Sequence, residues 1–189
     1  IKKSLDEKFT LAHIGSFLSA RNPRILWKVL KELIKENPDF RRDFQLKLIG
    51  AVSQEVLDTI SEFRLNDYVL NLGYVSHQEA VEHQRKSQVL LLIEINSNDT
   101  KSIIPGKLFE YMVSERPIIA LGPEGSDFAE IITSTNTGVF FLYDELEQLK
   151  ELLLKYYNLY AAQNLKVHAI GLQQYSRRSL TQQIAKLIS

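Results

Sequence analysis

The stretch Gln88-Val-Leu-Leu-Leu-Ile-Glu-Ile95 is the most continuous apolar run in the chain. A run of strand length without polar alternation suits a strand covered on both faces, the central position in a parallel sheet. The same kind of run recurs on either side of it. Phe9 to Ile14 precedes Gly15, Gln45 to Ile49 precedes Gly50, and Tyr68 to Leu72 precedes Gly73; Arg116 to Leu121 and Thr137 to Leu142 follow. Between these runs lie segments of helical period. Residues 23 to 36 put Ile25, Leu26, Val29, Leu30, Leu33 and Ile34 on one face, bracketed by Asn22-Pro23 and Asn37-Pro38. Ser53 is placed to cap a helix reaching about Phe63, and Ser76 with Glu79 three positions on reads as a capping box for a helix to Lys86. From about residue 144 to residue 189 the pattern is a helical tail. Leu146, Leu149, Leu152, Leu153 and Tyr156 form one stripe, and Leu180, Ile184 and Leu187 mark a terminal helix.

Strict alternation of strand and helix forces parallel pairing with right-handed crossovers. The expectation is an α/β fold, a Rossmann-like doubly wound parallel six-stranded sheet with helices on both faces, residues 1–189 forming one domain. In the usual strand order 3-2-1-4-5-6 the chain reverses direction between strands 1 and 4, and ligands sit outside the carboxyl ends of those two. The loops at that point are Gly15-Ser-Phe-Leu-Ser-Ala-Arg-Asn22, small and basic, and Asn96 to Gly106, which runs into Lys107. Pro105-Gly106 closes the second loop, and a short helix then carries Lys107 and Glu110 one turn apart. A helix start with a lysine favours a phosphate, and a carboxylate one turn on can accept hydroxyl hydrogen bonds. The same i, i+3 spacing also suits a surface ion pair worth roughly 0.2 to 0.5 kcal/mol.

The bulk numbers narrow the classes. At 189 residues with 44% hydrophobic and 24% charged content the chain is an ordinary globular domain. Its 23 Lys plus Arg balance 23 Asp plus Glu, which favours neither a nucleic-acid groove nor a polybasic membrane anchor, so ligand charge has to be met locally. The absence of cysteine removes disulfide and thiolate chemistry and agrees with a cytoplasmic setting. No apolar run approaches the roughly 20 residues of a membrane helix. Gly15 is not followed by the G-x-G-x-x-G fingerprint, and Gly106-Lys107 is followed by Leu108 where a P-loop needs Ser or Thr. Dinucleotide binding and Walker-type hydrolysis are both disfavoured.

His13, His77, His83 and His168 show no metal-ligand spacing, so each defaults to a structural role and no metal is expected. Glu94, near the end of the most buried strand, needs a partner; it either helps order the crevice or pairs locally. Arg21, opposite Lys107, is read as a phosphate contact, and Gly15 as a turn that lets backbone amides approach a diphosphate. Trp27 and the group Tyr156, Tyr157, Tyr160 fall at helical spacing and read as packing.

Pro105-Gly-Lys-Leu-Phe-Glu-Tyr111, Arg116-Pro-Ile-Ile-Ala120 and Phe128-Ala-Glu-Ile-Ile132 together resemble the nucleotide-sugar signature of GT-B glycosyltransferases of the family-4, or group 1, type. Gly15 to Pro23 resembles the family's phosphate loop, Lys47 to Gly50 its second strand and turn, Leu72-Gly-Tyr-Val75 its base-binding turn, and Tyr175-Ser-Arg-Arg its C-terminal tail. The resemblance implies the donor-binding half of an enzyme that moves a sugar from a nucleoside-diphosphate sugar to an acceptor, in surface polysaccharide or glycolipid assembly. It implies Arg21 and Lys107 as the catalytic cations that neutralise the leaving diphosphate without a metal or other cofactor. It implies that Glu110 accepts from the ribose and that the backbone at Gly73, Tyr74 and Val75 holds the base. Gly15, Ser16, Ser102, Gly106 and Leu108 complete the implied donor site. Ser102 stands where family members often have a glutamate against the donor sugar, and Ser16 where a basic residue often follows the glycine. The implied partners are the donor and an N-terminal acceptor domain of the same polypeptide, with peripheral association of the full enzyme at the inner face of the membrane. Competing readings are a sugar-nucleotide 2-epimerase-like domain, which needs more acidic and His groups than Glu110 and Asp99, and a non-catalytic nucleotide-binding module. A receiver domain needs carboxylates where Gly15-Ser16 and Gly73-Tyr74 stand.

Overall fold

The computed structural model describes residues 4–176 and Ser179. The terminal helix expected at Leu180, Ile184 and Leu187 lies outside the described residues. Among those described, six parallel strands form one sheet in the order β3-β2-β1-β4-β5-β6. They are β1 Phe9–Ile14, β2 Phe44–Ile49, β3 Val69–Gly73, β4 Val89–Ile93, β5 Ile118–Leu121 and β6 Gly138–Phe141. Every strand falls within a residue or two of its apolar run. The central strand is wholly buried, as a run without alternation requires. Gln88 and Glu94 flank it: the Gln88 amide donates to the Thr10 hydroxyl at 2.9 Å, and the Glu94 amide donates to the Leu121 carbonyl of β5 at 2.9 Å.

Side-chain parity divides the core into two layers. Phe9 and Leu11 of β1 with Val89, Leu91 and Ile93 of β4 pack under α1 Arg24–Glu36, α2 Pro38–Asp43, α3 Gln54–Glu62 and α7 Leu146–Ala161. Ala12, Ile14, Leu90 and Leu92 pack on the other face, under α5 Lys107–Met112 and α6 Asp127–Thr135, with α4 His77–Lys86 alongside through Ala80. Sequence pattern accounts for most of this, and the differences are local. The capping box at Ser76 and Glu79 forms in both directions. Ser53 precedes α3 but makes no cap bond. Helix α2 follows from chemistry not weighed in the sequence: Asn37 accepts from the amides of Asp39 and Phe40 while Pro38 opens the helix. Phe40 is thereby buried against Phe9, Phe44 and Tyr157. In α7 it is Tyr157, not Tyr156, that reaches the inner layer, since its hydroxyl can donate to Asp43 at 2.8 Å. Beyond α7 the tail is not helical over residues 164 to 171, and a short 3-10 turn follows at Leu172–Tyr175.

The feature that positions the crevice is a row of glycines at the carboxyl ends of the first three strands. Gly15 donates to the Ile49 carbonyl at 2.8 Å and Gly50 donates to the Gly73 carbonyl at 2.7 Å. All three have positive φ, +111°, +109° and +63°, so each chain leaves its strand by a turn that L side chains resist. The loop after β1 continues as a third link. Phe17 donates to the Ala51 carbonyl at 2.7 Å and its own carbonyl accepts from Ser53 at 3.0 Å. Its far end is held by Asn22, which accepts from the Trp27 indole at 2.8 Å and donates to the Thr59 hydroxyl at 2.8 Å. At Gly50 a Cβ would lie 2.7 Å from the Gly15 carbonyl oxygen, a backbone atom that cannot step aside. Gly50→Ala is therefore expected to cost about 2–3 kcal/mol of stability through strain and clash together. Chemical denaturation checks this as a lowered midpoint at unchanged slope.

Candidate functional site: a cationic crevice between strands 1 and 4

Strands β1 and β4 are neighbours whose chains depart in opposite directions, so a crevice opens above their carboxyl ends. From the β1 side the loop Gly15 to Asn22 brings Arg21 in on a 3-10 turn, Ser19–Arg21. The guanidinium Nε donates to Glu94 Oε1 at 3.1 Å. The same carboxylate oxygen accepts the Ile95 amide at 2.9 Å, and the Glu94 carbonyl accepts the Tyr143 hydroxyl at 2.5 Å. Glu94 is almost fully buried and held at both its side chain and its backbone. Both readings of Glu94 hold at once: it pairs locally, and its partner is a crevice cation. That bond uses Nε alone, so the terminal nitrogens of Arg21 stay available.

From the β4 side the loop closes on itself before α5 begins. The Thr100 hydroxyl donates to the carbonyls of Ile95 and Ser97 at 2.8 and 2.9 Å, and the Ser97 hydroxyl accepts the Asp99 amide. Lys107, the first residue of α5, then reaches back over β1. Its Nζ lies 3.1 Å from His13 Nε2 and 3.5 Å from the Ile14 carbonyl, close beside Gly15. Tyr111, one turn further on and fully buried, fixes the end of the same strand by accepting the Ile14 amide at 3.1 Å. Burial first and then the charge of Arg21 lower the Lys107 ammonium, with Glu94 acting against both, to a pKa of about 8. The His13 imidazole is held well below its ordinary range by burial first, then by Lys107 and Arg21. Arg21 and Lys107 thus share one crevice and sense each other's charge.

The remaining sequence-derived residues divide. Gly15 and Ser16 line the turn beneath Lys107, with Ser16 exposed. Glu110 is exposed and does not pair with Lys107; the buried Gln84 amide of α4 donates to its Oε2 at 3.0 Å, leaving the other oxygen free. Gly73 and Tyr74 stand at the edge of the sheet, Tyr74 83% exposed, with Val75 partly tucked against the second core layer. Ser102 and Gly106 are exposed on the β4 side. Leu108 differs from expectation: its side chain is in the core and its amide is already donated to the Pro105 carbonyl at 2.9 Å. With α5 only six residues long, charge at this end comes chiefly from Lys107, not from a helix dipole. His13 and Tyr111 are the site residues that sequence reading passed over. Their signal was a polar group at the last turn of a buried strand and a tyrosine on the buried face of α5. A groove of about 1520 Å³ lies at the amino ends of the strands, among Asp6, Asp43, Gln88 and Arg116. There Asp43 is paired to Arg42, and Arg116 donates to the backbone and side chain of Gln88 while its Nε has no partner among the described residues.

The fold is shared with several solved structures. HepE from Anabaena, solved in complex with UDP, matches with a TM-score of 0.70 at 16% identity, over 96% of this chain and 49% of that one. WaaG, a glycosyltransferase involved in lipopolysaccharide biosynthesis, matches with a TM-score of 0.64 at 16% identity, over 81% of this chain and 39% of that one. The C-terminal domain of the group 1 family protein LpcC from Francisella tularensis matches with a TM-score of 0.59 at 15% identity, over 85% and 80%. This chain thus spans less than half the length of HepE and WaaG. No curated protein matches it. The family model "Glycosyl transferases group 1" matches residues 8–186, nearly the whole chain. The chain belongs to the group 1 glycosyl transferases.

Proposed function

We propose that these residues form the donor-binding half of a glycosyltransferase, taking a nucleoside-diphosphate sugar and passing its sugar to an acceptor held by a second half of the same polypeptide. The observation that carries the reading is the pairing of one crevice cation, Arg21, with a buried carboxylate and of the other, Lys107, with neutral acceptors only. That leaves a net positive charge and free guanidinium donors above the glycine turn. Preplaced positive charge of this kind stabilises a departing diphosphate more than it stabilises the intact donor, because the leaving group gains charge in the transition state. Arg21 and Lys107 carry that role, with no divalent ion required. Glu110, steadied by Gln84, is placed to accept from the ribose, and the exposed Tyr74 turn receives the base. Structures similar to this one include a glycosyltransferase involved in lipopolysaccharide biosynthesis and a UDP complex, which supports a surface-glycan pathway and UDP as the first donor to test. Association of the full enzyme with the inner membrane face is proposed as peripheral; among the described residues no helix is long and apolar enough to cross a membrane.

Calorimetry with UDP and GDP tests the reading. Binding is expected at neutral pH, equally with a chelator present, and Arg21→Ala should weaken it by about tenfold or more, the worth of a charge-assisted contact. Affinity should fall as pH rises past about 8, where free Lys107 loses its proton. Absence of binding by a folded chain at millimolar nucleotide would discard the proposal.

The same lysine acts on stability with the opposite sign. Its folded pKa of about 8 lies below its ordinary 10.5, so between those values the unfolded chain holds a proton that the folded chain has released. Stability therefore rises with pH across that window. Lys107→Met should remove that rise and increase Tm at pH 7 by roughly 2–4 °C, as relief of about 1 kcal/mol would. Thermal unfolding of both proteins at pH 7 and pH 10 measures the difference.

A further inference from the structure

We infer that His13 is a positioning residue for the donor diphosphate: a neutral imidazole in the crevice floor whose Nε2 lone pair holds the Lys107 ammonium over the Gly15 turn. The inference rests on the donor-site reading above and extends it to a residue that reading does not use. His13 is completely buried one residue before the end of β1. Its ring stacks on Phe17 with centroids 4.0 Å apart and planes 22° from parallel, so the loop that carries Arg21 also fixes the imidazole. An ammonium has no acceptor, so a contact of 3.1 Å between Lys107 Nζ and His13 Nε2 requires the ring nitrogen to accept. The ring proton then resides on Nδ1, which is buried and has no hydrogen-bond partner among the described residues.

That orphan donor argues against a purely structural histidine. Packing alone would be served better by a phenylalanine, which would keep the stack on Phe17 and remove an unpaired buried group. The imidazole is retained at a cost to stability, and what it supplies is a lone pair aimed at Lys107. Without it the ammonium keeps only the Ile14 carbonyl at 3.5 Å, a long contact that leaves a four-carbon side chain free to turn. The charged and titratable groups facing this pair are Arg21 from the β1 loop, Glu94 from the end of β4 through Arg21, and Tyr111 from α5 at the Ile14 backbone. Among the groups bearing directly on the pair, Glu94 is the carboxylate, and its bonds go to Arg21 and the Ile95 amide.

Two substitutions separate positioning from packing. His13→Phe keeps the ring and removes the acceptor; His13→Gln keeps an acceptor near the Nε2 position. For His13→Phe the expectation is UDP binding weaker by about tenfold at pH 7, with Tm equal to or above that of the unaltered chain. His13→Gln should return affinity to within about threefold of the unaltered chain. Side-chain NMR of the nucleotide-free protein should show Lys107 losing its proton at lower pH in His13→Phe than in the unaltered chain. A drop in Tm with unchanged Lys107 titration would make His13 a packing residue and overturn the inference, as would unchanged UDP affinity in His13→Phe. If the unaltered chain binds no UDP while Lys107 titrates as expected in both variants, the positioning contact stands and the donor-site reading fails. If UDP binds but the Lys107 titration is the same in every variant, the donor-site reading stands and the contact is refuted.

Discussion

Two pairings above the central strands, Arg21 with Glu94 and Lys107 with His13, set what the rest of the molecule is arranged around. Bringing two like charges into one half-enclosed crevice is unfavourable, since each lowers the tendency of the other to stay charged. The sheet meets this with unequal partners. Arg21 meets a carboxylate, and Lys107 meets a neutral imidazole and a carbonyl. Toward the amino ends of the strands the contrast is direct, for there the buried Lys47 lies 2.6 Å from Asp6, which also accepts from Thr10. A cation matched by a carboxylate is part of the architecture. Lys107, matched at the crevice only by neutral acceptors, keeps its charge unspent, and an incoming anion can complete it.

Topology supplies the location and glycine supplies the access. The cations come from loops on opposite sides of the reversal between β1 and β4, so neither a single helix nor a single strand could have presented both. The floor between them stays low because Gly15, Gly50 and Gly73 carry the chain out of three adjacent strands in positive-φ turns, each donating or accepting across to the next. Phe17, set between His13 and Trp27, ties that floor to the larger core layer. Stability of the core and geometry of the crevice are therefore linked through one loop. Its substitution tolerance should be low although much of its surface is exposed.

Much of the fold was legible because the first five strands were buried throughout or ended by glycine, and both signals are local. The run from Gln88 to Ile95 and the alternation around it led to the strand order, and from the order to the crevice, before any coordinate was known. Helix α2 was missed because its signal, Asn37-Pro38, had already been read as the end of α1; one asparagine in fact serves both helices. The site was legible only in part. Arg21 and Lys107 stood out as charges in loops that topology had singled out. The direction in which Lys107 points was not, since a lysine and a glutamate one turn apart look like a pair until Gln84, 26 residues away, takes the glutamate. His13 was passed over because a lone histidine in a buried strand has no sequence mark that distinguishes packing from presentation. Leu108 was included on the strength of its neighbours, and its amide was already committed to the turn of Pro105.

The account reduces to where a pyrophosphate comes to rest. A crystal structure of this chain with UDP would decide it, and the prediction is phosphate oxygens within hydrogen-bond distance of Lys107 Nζ and of the Arg21 guanidinium, above Gly15, with the Arg21–Glu94 and Lys107–His13 contacts retained. Nucleotide bound in the groove at the amino ends of the strands, or bound at the crevice with either cation turned away, would contradict it.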